Sequence, residues 1–269
     1  MPEPSLYNTI GDPFTELLTV DSTNNYALTK VRAGLAQHGA AFFAHEQVAG
    51  RGQRGKSWVA PKDSGLILSV VLDPQPLAIA QQFQLSACVA VSASELLQEL
   101  TGDDIFIKWP NDVYWRDRKA GGILIDNMIG MKKTADPVSN QQGTVWQWAI
   151  AGIGINLNQV NFPDFLPNPV SLKQITGKDF DPLMVARQLC KLIDKHFSEL
   201  LHEGFSRLYG KYLSSLYKKD QAVKLKKDNR VFDAVIKKVS VDGQLVVKHG
   251  IEESFEFGEI EWVLPPLES

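Results

Sequence analysis

Cysteine is nearly absent from this sequence, with two residues, Cys88 and Cys190, in 269. Both fall in apolar segments of helical character, so they read as buried free thiols rather than as a disulfide. No stretch of about 18 apolar residues occurs, the least that a helix needs to cross a bilayer. Met1 to Gly11 holds no basic segment followed by an apolar run, so no secretory leader is expected and the expected compartment is the cytoplasm. An excess of one charge is missing as well: 28 Lys and Arg stand against 31 Asp and Glu, a net charge of -3. That balance gives no reason to expect a nucleic-acid partner, which usually demands a strongly basic face. The five histidines show no metal-ligand spacing; His196 and His202, six apart, fall on different faces of a helix, which argues against structural zinc.

What is present is an ordinary globular balance, 44% hydrophobic and 22% charged, enough to build a sizeable core. Asp21, Ser22 and Thr23 carry short oxygen side chains suited to starting a helix, expected to run to about Ala36. A strand over Ala40 to Val48 and a polar, glycine-rich loop from Ala49 to Asp63 follow. The unbroken apolar run from Gly65 to Leu72 reads as a buried strand. Helical periodicity then extends from Leu77 to Leu100 and stops at Gly102. Strands are expected at 105–109, 113–115, 122–129 and 144–157, with an exposed hairpin loop over 132–143, then a helix over 181–201 and a shorter one to about Ser215. Past Tyr217 only short β-like runs remain, with turn chemistry at Asp242-Gly243 and His249-Gly250. The expected architecture is α+β, a large domain over 1–215 and a small β-barrel over 216–269.

Three short segments carry the chemistry. In Gly50-Arg51-Gly52-Gln53-Arg54-Gly55-Lys56-Ser57-Trp58, glycines alternate with cations. Glycine lets the backbone approach a ligand closely, and the arginine fork suits carboxylate or phosphate oxygens. The loop is neither a Walker loop nor a dinucleotide fingerprint, and taken alone it is equally a solvated basic loop. Lys108-Trp109-Pro110-Asn111-Asp112 is followed closely by Lys119-Ala120-Gly121-Gly122. Lys119 offers a fixed cation beside paired glycines, Asp112 a carboxylate of the kind magnesium takes together with phosphate oxygens, and Asn111 an amide able to read a base edge. Gly154-Ile155-Asn156 ends the long strand with a further amide. Taken singly, each of these is equally a tight hairpin, a bulged strand or a strand-ending turn.

In this order and spacing, and with Asp21-Ser22-Thr23-Asn24 upstream, the segments resemble the biotin protein ligase family over nearly the whole chain. The resemblance implies a class II synthetase-like catalytic domain with a mixed central sheet and an SH3-like barrel at the C-terminus. It implies ATP-dependent ligation of biotin to one lysine of a biotin carboxyl carrier protein through biotinyl-5′-AMP. By the same resemblance Ser22, Thr23, Gln47, Gly50, Arg51, Lys119 and Gly122 would hold biotin. Arg54, Trp58, Asn111, Lys119 and Asn156 would hold ATP; Lys119, Arg51 and Asp112 would serve catalysis, with Mg2+ near Asp112. Relatives of this kind often dimerise through the central sheet, which makes a homodimer one candidate arrangement, although the sequence does not reveal the oligomeric state. One departure is Gln53, where many members have arginine in a loop that retains the adenylate. A second is that the first motif begins at Asp21, an arrangement expected to leave no room for an N-terminal DNA-binding domain.

Two other readings stay open. A lipoate or octanoate transferase shares the implied fold but has no use for the Ser22, Thr23 and Gln47 set. A non-catalytic biotin sensor would not need Lys119, Arg51 and Asp112. The C-terminal lysines Lys218, Lys219, Lys224, Lys226 and Lys227 read as the solvated face of an edge strand in preference to a docking surface for an acidic carrier.

Overall fold

The computed structural model describes residues 9–131 and 144–263, so the hairpin loop expected over 132–143 lies outside the described residues. Seven strands form the main sheet: β1 (Phe14–Leu17), β2 (Ala41–Ala44), β3 (Gly65–Leu72), β4 (Ile105–Lys108), β5 (Asp112–Trp115), β6 (Arg118–Met131) and β7 (Thr144–Asn156). Their spatial order is β1-β2-β3-β7-β6-β5-β4. β1 and β2 run parallel and every other pair is antiparallel, giving the mixed sheet expected.

Both faces of the sheet are covered. The helix α1 (Thr23–Arg32) buries Ala27 and Val31 against Phe42, Val71 and Ile150. On the opposite face lie α2 (Gln82–Thr101), α3 (Leu172–Thr176), α4 (Pro182–Glu203) and α5 (Phe205–Ser214), around a core that includes Phe43, Leu66, Leu68, Leu97 and Ile153. The two phenylalanines of β2 thus point to opposite sides, as a pleated strand requires. Strand β3 lies in the middle of this sandwich and is buried at all eight positions, which is why its sequence shows no polar alternation beyond Ser69. Helix α2 ends at Gly102, whose φ of 68° closes the helix in the left-handed conformation that glycine tolerates best. Helix α1 ends at Arg32, short of the expected Ala36. Among the described residues no helix is long and apolar enough to cross a membrane.

The C-terminal strands β8 (Ala222–Lys227), β9 (Arg230–Val239), β10 (Leu245–His249), β11 (Ile251–Phe255) and β12 (Glu261–Val263) make a second, antiparallel sheet in the order β11-β10-β9-β8-β12, which fits an SH3-like domain. The edge-strand reading of the C-terminal lysines is corrected here. β8 is an inner strand, paired with β9 over its length and with β12 through Lys224, Leu225 and Lys226. Its lysines alternate with Val223 and the fully buried Leu225 because one face covers the small core, not because an edge is exposed. Several of these cations are paired: Lys224 with Asp233 at 3.0 Å and Lys218 with Asp117 at 2.8 Å.

The second sheet docks on the first. The indole of Trp109 donates to the Gly243 carbonyl at 2.8 Å, and Tyr209 donates its hydroxyl to Val239 at 2.6 Å. Lys108 lies between the ring faces of Tyr114 and Trp262, 5.1 and 5.0 Å from their centroids.

Candidate active site

The glycine loop returns to the sheet through Trp58, whose backbone N–H donates to Gly50 at 2.9 Å. A Cβ on Gly50 would stand 2.3 Å from the Trp58 carbonyl oxygen, so only glycine lets the two ends of the loop meet. The Trp58 indole then lies directly on β7: a Cβ on Gly154 would be 2.4 Å from its ring. Its Nε1–H is buried with no acceptor among the described residues.

This arrangement opens a cleft over the middle of the sheet, at the point where β3, β7 and β6 carry Ile67, Gly154 and Gly122 side by side. One end is closed by the start of α1. Ser22 is the N-cap, but its side chain makes no capping bond; Gln47 Oε1 accepts instead from the Thr23 N–H at 2.7 Å and from the Thr23 hydroxyl at 3.1 Å. Beneath them the buried Ser69 hydroxyl bridges Thr23 Oγ1 at 2.7 Å and Asn24 Oδ1 at 2.6 Å. Asn24 donates to Asp126 at 2.9 Å, and Arg51 grips the same carboxylate with two bonds at 2.9 and 3.2 Å while also reaching Asn25. A Cβ at Gly152 would fall 2.2 Å from Asn24 Oδ1, so that glycine makes room for the network.

The other end carries Lys119, whose Nζ stands 2.6 Å from Asp112 Oδ1 and 5.9 Å from the centre of the Trp58 ring. A bulge makes that contact possible. Val113 pairs with Gly121 but Tyr114 pairs with Lys119, so Ala120 is an extra residue and the alternation of β6 is reset. In a regular strand Lys119 and Gly122 would point to opposite faces; here a Cβ on Gly122 would lie 3.4 Å from both Lys119 Nζ and Asp112 Oδ1. Lys108, opposite Asp112 in the β4–β5 ladder, is a second cation close by, and burial lowers its pKa to about 8 against the partial support of Asp112.

The structure therefore brings Ser22, Thr23, Gln47, Arg51, Trp58, Asn111, Lys119 and Gly122 to one cleft, with Asp112 bonded to Lys119. It does not bring Asn156 there. That side chain is buried, donates to the carbonyls of Lys119 at 3.3 Å and Val170 at 3.1 Å, and accepts from Gln159 at 3.3 Å. Its amide braces the backbone that carries Lys119. Gly50 and Arg54 line an outer groove along the glycine loop instead, and the Arg54 guanidinium sits 5.9 Å from the centre of the Phe257 ring. Asn111 lines the cleft but donates its amide to the Ile123 carbonyl at 2.6 Å.

Sequence reasoning passed over Asn24, Ser69 and Asp126 as site residues. Ser69, a lone hydroxyl within an apolar strand, was the available signal; the partner of Arg51 had none, since Asp126 is 75 residues away.

Among the described residues no group of three or more His, Cys, Asp or Glu side chains stands ready for a metal. Asp112 supplies one carboxylate, which suits a magnesium ion only if phosphate oxygens and water complete its shell.

The sequence pattern of the biotin/lipoate A/B protein ligase family matches residues 17–138. The bifunctional ligase/repressor BirA of Escherichia coli (strain K12) is 36% identical over 149 residues, 55% of this chain and 41% of that protein. A biotin–[acetyl-CoA-carboxylase] ligase of Paracoccus denitrificans is 37% identical over 175 residues, 62% of this chain and 65% of that one. The match thus spans less than half of the ligase/repressor. Among solved structures, the biotin protein ligase of Aquifex aeolicus in complex with biotin and ATP superposes with a TM-score of 0.75 at 27% identity, over 93% of this chain and 98% of that one.

Proposed function

We propose that this chain, whose residues 17–138 match the biotin/lipoate A/B protein ligase family, is a biotin protein ligase, activating biotin with ATP and passing it to a lysine of a biotin carboxyl carrier protein. The observation that carries the reading is the polarity of the cleft. A hydroxyl-and-amide cradle built from Ser22, Thr23 and Gln47 occupies one end, and the Lys119–Asp112 pair occupies the other. The cradle suits a small polar ring such as the ureido group. The glycine-backed strands between the two ends suit an aliphatic chain, and Lys119 suits the carboxylate that terminates it.

In the first step a biotin carboxylate oxygen attacks the α-phosphorus of ATP, the bond to the bridging oxygen breaks, and pyrophosphate leaves with the electron pair. Lys119 neutralises the two anions as they approach, which removes the main electrostatic barrier to their meeting. Arg51, clamped to Asp126, holds the glycine loop against the cleft so that the reactive anhydride is kept from water. The Trp58 indole offers a flat face, and an N–H without a partner among the described residues, to the nucleotide. Asp112 is the carboxylate that would hold magnesium brought in on ATP, an ion that supplies further charge neutralisation at the phosphates. In the second step the acceptor amine nitrogen bonds to the acyl carbon, the carbon–oxygen bond to phosphate breaks, and AMP departs; the surplus amine proton goes to water.

The test is biotin-dependent exchange of pyrophosphate into ATP in the presence of magnesium, with lipoate and octanoate run in parallel. Exchange with biotin alone is the expected result. Exchange with lipoate or octanoate instead transfers the chain to that side of the family, and no exchange with any of the three leaves a binding protein.

A further inference from the structure

A second cleft opens off the first. It shares Gln53, Asn111 and Ile123 with it and runs outward between α2, the β4–β5 turn, β6 and two turns of the C-terminal sheet. Its walls include the aromatic rings of Phe83, Trp109 and Phe257. Among the described residues the only charged ones lining it are two carboxylates, Asp242 and Glu256, both exposed at the C-terminal sheet. Among the described residues neither forms an ion pair; Glu256 accepts one bond, from Gln244 at 2.7 Å. The Arg54 guanidinium stands over the Phe257 ring, 5.9 Å from its centre. The groove along the glycine loop has the opposite character, lined by Arg51, Arg54 and Lys56, with one carboxylate, Asp126, already bound to Arg51.

We infer that this second cleft is the slot through which the lysine side chain of the acceptor protein reaches the activated acyl group, its ammonium drawn in by Asp242 and Glu256 and its methylene stem laid along the aromatic walls. The inference rests on the ligase reading and adds to it the route and the recognition chemistry of the second substrate. A nucleotide is the other ligand that the reaction needs, and the acidic mouth suits it poorly, since two carboxylates outside any ion pair among the described residues repel phosphate. A lysine side chain matches both features, an apolar stem and a cationic tip. The two reactants would thus approach from sides of opposite charge, polyanion along the glycine loop and cation past the C-terminal sheet. Further in, beside Lys119, the charged form of the amine is disfavoured by like charge, so the proton is released to water before the nitrogen attacks.

The experiment compares the parent with Asp242→Asn/Glu256→Gln and with the charge-reversed Asp242→Lys/Glu256→Lys. Three rates are read for each: pyrophosphate exchange, acyl transfer to hydroxylamine, and acyl transfer to the biotin carboxyl carrier domain of an acyl carboxylase. Hydroxylamine is small and neutral, so it needs no acidic mouth. The expected result is unchanged exchange and hydroxylamine capture, a fall of about ten-fold in kcat/KM for the carrier domain in the neutral variant and a larger one on reversal, with weaker salt dependence. Carrier transfer within two-fold of the parent in the reversed variant overturns the inference. So does an equal fall in all three rates, which would report damage to the site. Absence of exchange in the parent itself removes the ligase reading, and that outcome is distinct from either.

Discussion

At the scale of single residues, the site depends on atoms that are missing as much as on those present. Gly154 gives its place to the Trp58 ring and Gly152 to Asn24, with clearances no Cβ can enter. Gly154→Ala is therefore expected to push the indole off the sheet and weaken nucleotide binding while leaving the fold intact; a raised KM for ATP with an unchanged far-UV spectrum is the result to look for. Gln53 is the other informative position. It lines both clefts, and its Oε1 is buried with no partner among the described residues. An uncharged amide there cannot hold a phosphate as a guanidinium would. We expect Gln53→Arg to slow release of the adenylate, measured as its dissociation rate after a chase with unlabelled biotin and ATP; an unchanged rate means the position does not govern retention.

At the scale of elements, charge is used to lock helices and to prime a strand pair. His196 of α4 is fully buried between two carboxylates, with Glu95 of α2 at 2.7 Å from Nε2 and Glu199 at 3.2 Å from Nδ1. Burial alone would raise the Glu95 pKa, but bonds from Lys195 and His196 outweigh it and bring it down to about 2. A carboxyl depressed in this way stabilises the fold above its ordinary pKa and loses that contribution as pH falls toward 2. Glu95→Gln should lower Tm at pH 7 and flatten the acid limb of the Tm–pH curve between pH 4.5 and 2. Lys108 behaves in the opposite sense. Burial brings its pKa from 10.5 to about 8, so below pH 8 the fold carries a cost for keeping it charged, relieved as pH rises toward 10.5. Lys108→Met is expected to stabilise the protein at pH 7, an advantage that shrinks above pH 8 and is gone near pH 10.5. Chemical denaturation across that range measures it.

At the scale of the whole molecule, the C-terminal sheet is part of the site's architecture. It covers Lys108 with Trp262, receives the Trp109 indole at Gly243, and closes one side of the second cleft with Asp242 and Glu256. The segment from Lys108 to Asp112 is thus held in part by contacts from the second sheet. This gives the appended sheet a reason to be docked firmly, and it makes the two units a single surface to an approaching protein.

Long, uniformly patterned elements were legible in the sequence by themselves. β3 was readable over Gly65 to Leu72 because a strand buried on both faces needs an unbroken apolar run, and the end of α2 because Gly102 closes it. The motifs were legible too, as residue types suited to anions and small polar groups. Short elements were not: β1, the four residues FTEL, and α3, five residues opened by Ser171 with Gln174, owe their existence to neighbours and caps rather than to periodicity. Tertiary structure alone decided which residues meet. The bulge at Ala120 turned Lys119 toward Asp112, the pairing of β12 with β8 made β8 an inner strand, and the pairing of β6 with β7 turned Asn156 into a brace for Lys119. Hydrophobic pattern depends on local chemistry and can be read along the chain. Contact depends on strand register and on the direction of a side chain, and a one-residue insertion reverses that direction without changing the composition at all.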